Sequence, residues 1–124
     1  MKQVLVVDDE LLARQRAMRM IERIDGYEVI GEAGNGQAAI SAINDLDPDI
    51  VLMDIRMPRM DGFQALQQLR RHPRLAKVPV VALSADAFGR QRESAMEFGF
   101  DDYLTKPVDM VMVQAVLRKH LLKE

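Results

Sequence analysis

The chain consists of short, unbroken runs of apolar residues separated by longer segments with a helical pattern. Most runs are rich in Val and Ile, and apolar and polar residues do not alternate within them. This pattern is typical of parallel strands that are buried on both faces. The predicted strands are residues 4–7, 27–30, 50–53, 80–83 and 103–105.

The intervening segments carry apolar residues at the spacing of one helix face. The first has such a stripe, formed by Ala13, Ala17, Met20, Ile21 and Ile24. Turn residues delimit the segments: Gly99 is placed to end the fourth and Asp109 to cap the fifth. The predicted helices are residues 11–24, 37–44, 63–71, 89–98 and 110 to about 122.

Strand and helix therefore alternate five times, which predicts an α/β fold with a parallel sheet between two layers of helices. Four of the strands end in polar residues, and the carboxyl ends of parallel strands meet at one edge of the sheet, where such folds bind ligands. Clustered carboxylates repel one another and favour a bound cation. A carboxylate, a metal, a lysine and a hydroxyl together indicate phosphoryl transfer. These polar residues are Asp8, Asp9, Asp54, Ser84 and Lys106.

Composition narrows the class of protein further. We expect the 124 residues to form one domain, residues 1–124, with an ordinary 48% hydrophobic and 29% charged content. The net charge of -2 argues against direct binding of nucleic acid, and the absence of cysteine excludes disulfides and thiolate chemistry. We find no signal peptide and no apolar stretch of membrane-spanning length, so we expect a soluble, cytoplasmic protein that does not bind membranes.

Four motifs occur along the chain, each at the end of a predicted strand. They are VVDDE at 6–10, LMDIRMPRMDG at 52–62, ALSA at 82–85 and YLTKP at 103–107. With these motifs the chain resembles, over essentially its whole length, the receiver domain of two-component response regulators. The resemblance implies a (βα)5, flavodoxin-like three-layer sandwich with a five-stranded parallel sheet in the order 2-1-3-4-5.

The resemblance also implies a role for each polar residue. Asp54 is similar to the phospho-acceptor, which takes a phosphoryl group from a phosphohistidine. Asp9, Asp54 and the backbone carbonyl of Arg56 are similar to direct Mg²⁺ ligands, and Asp8 to a ligand that acts through water. Oxygen ligands with retained waters are what Mg²⁺ prefers.

Three further positions correspond to residues that respond to the phosphoryl group in this family. The resemblance implies that Lys106 pairs with Asp54 and then with the phosphoryl oxygens, and that its bond to Pro107 is cis. It also implies that Ser84 moves to the phosphoryl group and that Tyr103 turns inward as a switch. A static aromatic residue at the rim is the alternative for Tyr103.

Arg56 and Asp86 occupy variable positions that flank the acceptor by analogy. We hypothesise that an Arg56–Asp86 pair across the mouth of the site hinders water and modulates the lifetime of the phosphorylated state.

The expected partners are a sensor histidine kinase or a histidine phosphotransfer protein. The last helix carries more apolar residues than one face can bury, which favours a partner or a homodimer on the face of helix 4, strand 5 and helix 5. Arginines 14, 16, 19 and 23 form either a solvated face or a docking surface for an acidic helix. His72 and His120 are interpreted as surface residues. The apolar residues of the last helix, mentioned above, are Met110, Val111, Met112, Val113, Val116 and Leu117.

Other functions fit the sequence less well. The acidic loop after the first strand would repel the phosphate of a flavin, and Arg56 stands where an aspartyl phosphatase needs a second acid. An interaction module that works without phosphorylation remains the alternative. We expect self-modification rather than enzymatic turnover.

The output, the cognate kinase and the lifetime of the phosphorylated state stay open. Residues 31–36 resemble receivers of DNA-binding regulators, whereas residues 82–87 resemble those of hybrid kinases or stand-alone receivers.

Overall fold

The computed structural model describes residues 1–57, 59–73, 75–86 and 89–121. Within them lie five strands and five helices that alternate along the chain. The strands are β1 (Lys2–Val7), β2 (Tyr27–Ala33), β3 (Ile50–Asp54), β4 (Val80–Ser84) and β5 (Asp102–Thr105). The helices are α1 (Leu11–Glu22), α2 (Gly36–Leu46), α3 (Gly62–Arg71), α4 (Arg92–Phe98) and α5 (Met110–Leu121). None of these described helices is long and apolar enough to cross a membrane.

The strands form one parallel sheet in the order β2-β1-β3-β4-β5, which confirms the predicted fold class. The order reverses between β1 and β3, so a crevice opens beyond their carboxyl ends. That crevice receives the residues that follow Val7 and those at the end of β3.

Each central strand supplies two hydrophobic cores, which explains why its apolar residues do not alternate with polar ones. In β1, Leu5 and Val7 face the core beneath α2, α3 and α4, whereas Val4 and Val6 face the core beneath α1 and α5. The main chain of β1 and β3 is thereby fixed from both sides of the sheet. The residues at the carboxyl ends of these strands are therefore held in fixed positions.

Some predicted element ends were wrong. Helix α4 begins at Arg92, because Gly89 has a φ of 66° that no helix accepts, and residues 90–91 form a turn. Strand β2 continues to Ala33, since pairing with β1 after an irregularity at Val4/Leu5 outweighs the unfavourable Gly31. Three residues of the sequence argument, Pro58, Ala87 and Leu122, lie outside the described residues.

The predicted helix ends at Gly99 and Asp109 are confirmed. Gly99 ends α4 with a φ of 123°, and the Asp109 carboxylate accepts a hydrogen bond of 2.8 Å from the N–H of Met112. The last helix leaves part of its apolar surface uncovered, as predicted. Val111 is 76% exposed while Val113 and Leu117 are buried.

Candidate phosphoryl-acceptor and metal site

Three carboxylates meet at the switch point of the sheet. Asp8 and Asp9 follow β1, and Asp54 ends β3, its neighbour in the sheet. Each offers a ligand oxygen, and these oxygens all lie within 4.8 Å of one another. Asp8 and Asp54 are buried whereas Asp9 is exposed, so the cluster has a buried floor and one side that opens to solvent.

Lys106 supplies the positive charge of this cluster. Its Nζ lies 2.6 Å from Asp8 Oδ2 and 3.3 Å from Asp54 Oδ2. Burial alone would lower the pKa of Lys106, but the two carboxylates outweigh burial and the pKa is raised. The bond from Lys106 to Pro107 is cis, the geometry that the resemblance implied. Lys106 is therefore a permanent cation at neutral pH.

Asp54 has an unusual pKa for an aspartate. Its pKa is raised from 3.8 to about 6, mainly by burial. A hydrogen bond from the Arg56 N–H to Oδ1 and the charge of Lys106 oppose this rise, and the charge of Asp8 adds to it. Near neutral pH Asp54 is ionised but only narrowly so. A second cation at the site would stabilise its charged form.

The donor set fits a small, hard divalent cation. One lysine does not balance three carboxylates, and all the side-chain donors are oxygens. Asp8 Oδ1 accepts the N–H of Glu10 at 2.9 Å, whereas among the described residues its buried Oδ2 has no partner besides its ion pair with Lys106. A buried oxygen with a free lone pair is costly unless a ligand completes it. These residues therefore suit Mg²⁺.

Gly62 lets α3 pack directly beneath the acceptor. A Cβ on Gly62 would lie 2.8 Å from both the Asp54 carbonyl oxygen and Ile55 Cα, closer than real Cβ contacts allow. Its N–H bonds to the Ile55 carbonyl at 3.2 Å. The close packing of α3 on the end of β3 therefore depends on glycine at this position.

Ser84 ends β4 and Tyr103 lies in β5, and within the described residues neither side chain forms a hydrogen bond with Asp54 in this structure. Ser84 Oγ donates to Gln91 Oε1 at 2.7 Å and accepts the N–H of Asp86 at 3.1 Å. The Tyr103 ring is buried with Arg92 Cζ 5.9 Å from its centre, and within the described part of the chain its hydroxyl has no hydrogen-bond partner. Tyr103 is thus an interior aromatic here, not one at the rim.

Arg56 and Asp86 line one cavity beside the acceptor, together with Ala85, Arg90 and Gln91. Asp86 pairs with Arg90, whose Nε is 3.4 Å from Oδ1 and whose N–H bonds to Oδ2 at 2.9 Å. Arg90 was not expected as the partner of Asp86. Control of the lifetime by Arg56 and Asp86 stays a prediction.

Two interpretations of basic residues were wrong. Arg14 is not part of a solvated face: its Nη1 bonds to the Asp8 carbonyl and its Nε to Glu32 Oε1, both at 2.6 Å. Its place near the start of α1, five residues after Asp9, was the available signal. His120 is not a free surface residue, since its Nε2 lies 3.1 Å from the buried Asp102.

Comparisons with known proteins agree with this fold and geometry. The family model described as "Response regulator receiver domain" matches residues 4–118. The receiver domain of a sensor histidine kinase from Pseudomonas aeruginosa PAO1, solved with a magnesium ion coordinated in its active-site cleft, superimposes with a TM-score of 0.87, 29% identity and 98% coverage of both chains. The chain belongs to the response regulator receiver family, whose members act in two-component signalling.

Relatives that contain a similar domain differ in length. Response regulator GacA of Pseudomonas viridiflava is 38% identical over 118 residues, which are 94% of this chain and 54% of that protein. A 14.6 kDa protein of Leptolyngbya boryana is 34% identical and matches over 96% of this chain and 89% of its own length. The chain spans about half the length of GacA.

Proposed function

We propose that this receiver accepts a phosphoryl group on Asp54 from the phosphohistidine of a sensor histidine kinase or a histidine phosphotransfer protein. The observation that carries the proposal is the convergence of three carboxylates within 4.8 Å, with the ammonium of Lys106 against two of them. Asp8, Asp9, Asp54 and the backbone carbonyl of Arg56 would hold Mg²⁺, with Asp8 acting through water.

The chemistry follows from the charges of these groups. An ionised oxygen of Asp54 attacks phosphorus, the P–N bond of the phosphohistidine breaks, and its electron pair returns to the imidazole nitrogen. When bound, Mg²⁺ neutralises negative charge on the phosphoryl oxygens. The Arg56 N–H orients Asp54 through Oδ1, and Lys106, next to Oδ2, meets the incoming phosphoryl oxygens.

The response to phosphorylation would begin at Ser84. Its hydroxyl turns to a phosphoryl oxygen, and Tyr103 and the face of α4, β5 and α5 adjust. Exposed apolar side chains on α5, Val111 at 76% and Met112 at 36% exposure, support a partner surface or a homodimer there.

The chain would modify itself without acting as an enzyme that turns over substrate. Water slowly hydrolyses the phosphoaspartate, at a rate that Arg56 and Asp86 modulate from the wall of their shared cavity. The proposed donors favour a cytoplasmic location, and the net charge of -2 favours no direct contact with nucleic acid. We propose that residues 1–124 act as one receiver domain.

Labelling by acetyl phosphate tests the central proposal. Wild-type protein should acquire one phosphoryl group in the presence of Mg²⁺ and none with a chelator, and Asp54→Asn should acquire none. Asp102→Asn, which removes a buried aspartate at the opposite end of the sheet, should be labelled like wild type. Equal labelling of wild type and Asp54→Asn would overturn the assignment of the acceptor. Failure of the wild type to be labelled would favour a module that works without phosphorylation.

A further inference from the structure

The hydroxyl of Ser84 is fully engaged before any phosphoryl group arrives. Its single proton is donated to Gln91 Oε1 at 2.7 Å, and its oxygen accepts the N–H of Asp86 at 3.1 Å. Ser84 is 1% exposed, so water does not readily replace either contact. A buried hydroxyl that loses its acceptor has to find another one.

A serine hydroxyl has one proton to donate. If the proton goes to Gln91, it is not available to a phosphoryl oxygen on Asp54, and the reverse also holds. The two contacts of Ser84 are therefore mutually exclusive. Any free energy that stabilises the Ser84–Gln91 bond must be overcome when the phosphorylated state forms.

Gln91 has a position suited to this contact. It precedes α4 as the N-cap residue, yet its side chain makes no capping hydrogen bond to the helix. The side-chain amide is used on Ser84 instead. The next residue, Arg92, lies over the ring of Tyr103 at 5.9 Å. Two adjacent residues at the start of α4 thus contact Ser84 and Tyr103 respectively.

We propose that Gln91 is a positioning residue that holds the Ser84 hydroxyl toward α4 in the unphosphorylated protein. It thereby sets how readily Ser84 turns to a phosphoryl group on Asp54. The proposal rests on the proposed role of Ser84 in binding the phosphoryl group. Release of Gln91 frees the start of α4, so the hydrogen bond couples events at Asp54 to that helix.

Beryllium trifluoride, which mimics a phosphoryl group on aspartate, is the probe. Its apparent affinity is measured in saturating Mg²⁺ from the amide NMR signals of Ser84 and Tyr103. Gln91→Met keeps the length of the side chain but removes the acceptor. We expect it to bind the probe about three- to tenfold more tightly, the range of one net hydrogen bond.

Gln91→Glu keeps the acceptor and adds charge, which strengthens the bond to Ser84. We expect it to bind the probe at least as weakly as wild type. Opposite shifts in the two variants are a signature that a general loosening of α4 would not produce. In a Ser84→Ala background both substitutions should leave the affinity unchanged.

The outcomes separate this inference from the proposed function. If wild type binds the probe and Asp54→Asn does not, but Gln91→Met binds like wild type, the role of Gln91 is wrong and the acceptor stands. An effect of Gln91→Met that persists with Ser84→Ala also overturns the role of Gln91. Binding of the probe by Asp54→Asn would instead overturn the proposed function.

Discussion

Two buried aspartates, one at each end of the sheet, have pKa values that are shifted in opposite directions. Asp54 ends β3 and Asp102 begins β5, and both are nearly inaccessible, at 4% and 6% exposure. Burial raises the pKa of each, yet Asp54 rises to about 6 while the pKa of Asp102 falls. The difference lies in their partners, since the Tyr103 N–H, His120 and Lys119 outweigh burial at Asp102.

At the amino end of the sheet, carboxylates form hydrogen bonds and ion pairs with groups of the protein itself. Asp49 accepts the N–H of Gln3 at 2.7 Å, and Asp101 accepts the N–H of Val80 at 2.8 Å while it pairs with Arg70 at 2.9 Å. These carboxylates fix where strands begin. The carboxyl end keeps charges that its own partners do not balance, which suits a place where a cation and a phosphoryl group are to be added.

The lysines at the two ends should differ most when removed. Lys106→Met leaves Asp8 and Asp54 without their ammonium, and we expect it to lower the free energy of unfolding by about 2–4 kcal/mol in a chelator at pH 7. Lys119→Met removes a side chain that is 63% exposed and should cost at most about 1 kcal/mol. Urea denaturation measures both. Equal losses would contradict the contrast between the two ends.

The aspartates themselves should have effects of opposite sign. Because the folded pKa of Asp54 is raised, its contribution to stability falls as the pH rises from about 4 to about 6, and the cost persists above that range. Asp54→Asn should therefore stabilise the metal-free protein by about 1–3 kcal/mol at pH 7. Thermal or urea unfolding at pH 7 in a chelator measures this change.

Asp102→Asn is the matched control. Its lowered pKa means that its contribution is present at neutral pH and is lost only as the pH falls below about 4. The substitution should destabilise the protein by about 1–2 kcal/mol at pH 7. A loss of stability in both variants would show that Asp54 is no less well paired than Asp102.

The smallest expected effect is a pH dependence of the affinity for Mg²⁺. If Mg²⁺ requires ionised Asp54, a pKa of about 6 makes the apparent Mg²⁺ affinity about tenfold weaker at pH 5 than at pH 7. Titration of NMR shifts with Mg²⁺ at several pH values measures this change. Asp102→Asn should show the same profile as wild type. An affinity that does not change over this range would place the metal away from Asp54.

Sequence reasoning predicted the fold because both faces of the central strands are buried, so their apolar runs needed no tertiary information. It also predicted which residues meet at the switch point, since parallel strands bring their carboxyl ends together. It did not predict that α4 begins three residues late. The sequence around Gly89 carries no signal for the sign of its φ.

The residues that were misjudged share a cause. Arg14 and His120 look solvated in a helical pattern, but each reaches across to an acid on another element, Glu32 and Asp102. Gln91 carried no signal because its partner, Ser84, is seven residues earlier on a different element. Long polar side chains choose partners by proximity in space, which spacing along the chain does not encode.

The sequence by itself determined the sheet, the helices that cover it and the identity of the acids, lysine and hydroxyl at its edge. Hydrophobic periodicity and strand direction are enough for that. Only the tertiary structure decided the state of those groups. It placed Lys106 nearer to Asp8 than to Asp54, raised the pKa of Asp54, and turned Ser84 toward Gln91. Burial and distance set charge and hydrogen bonding, and both exist only once the chain has folded.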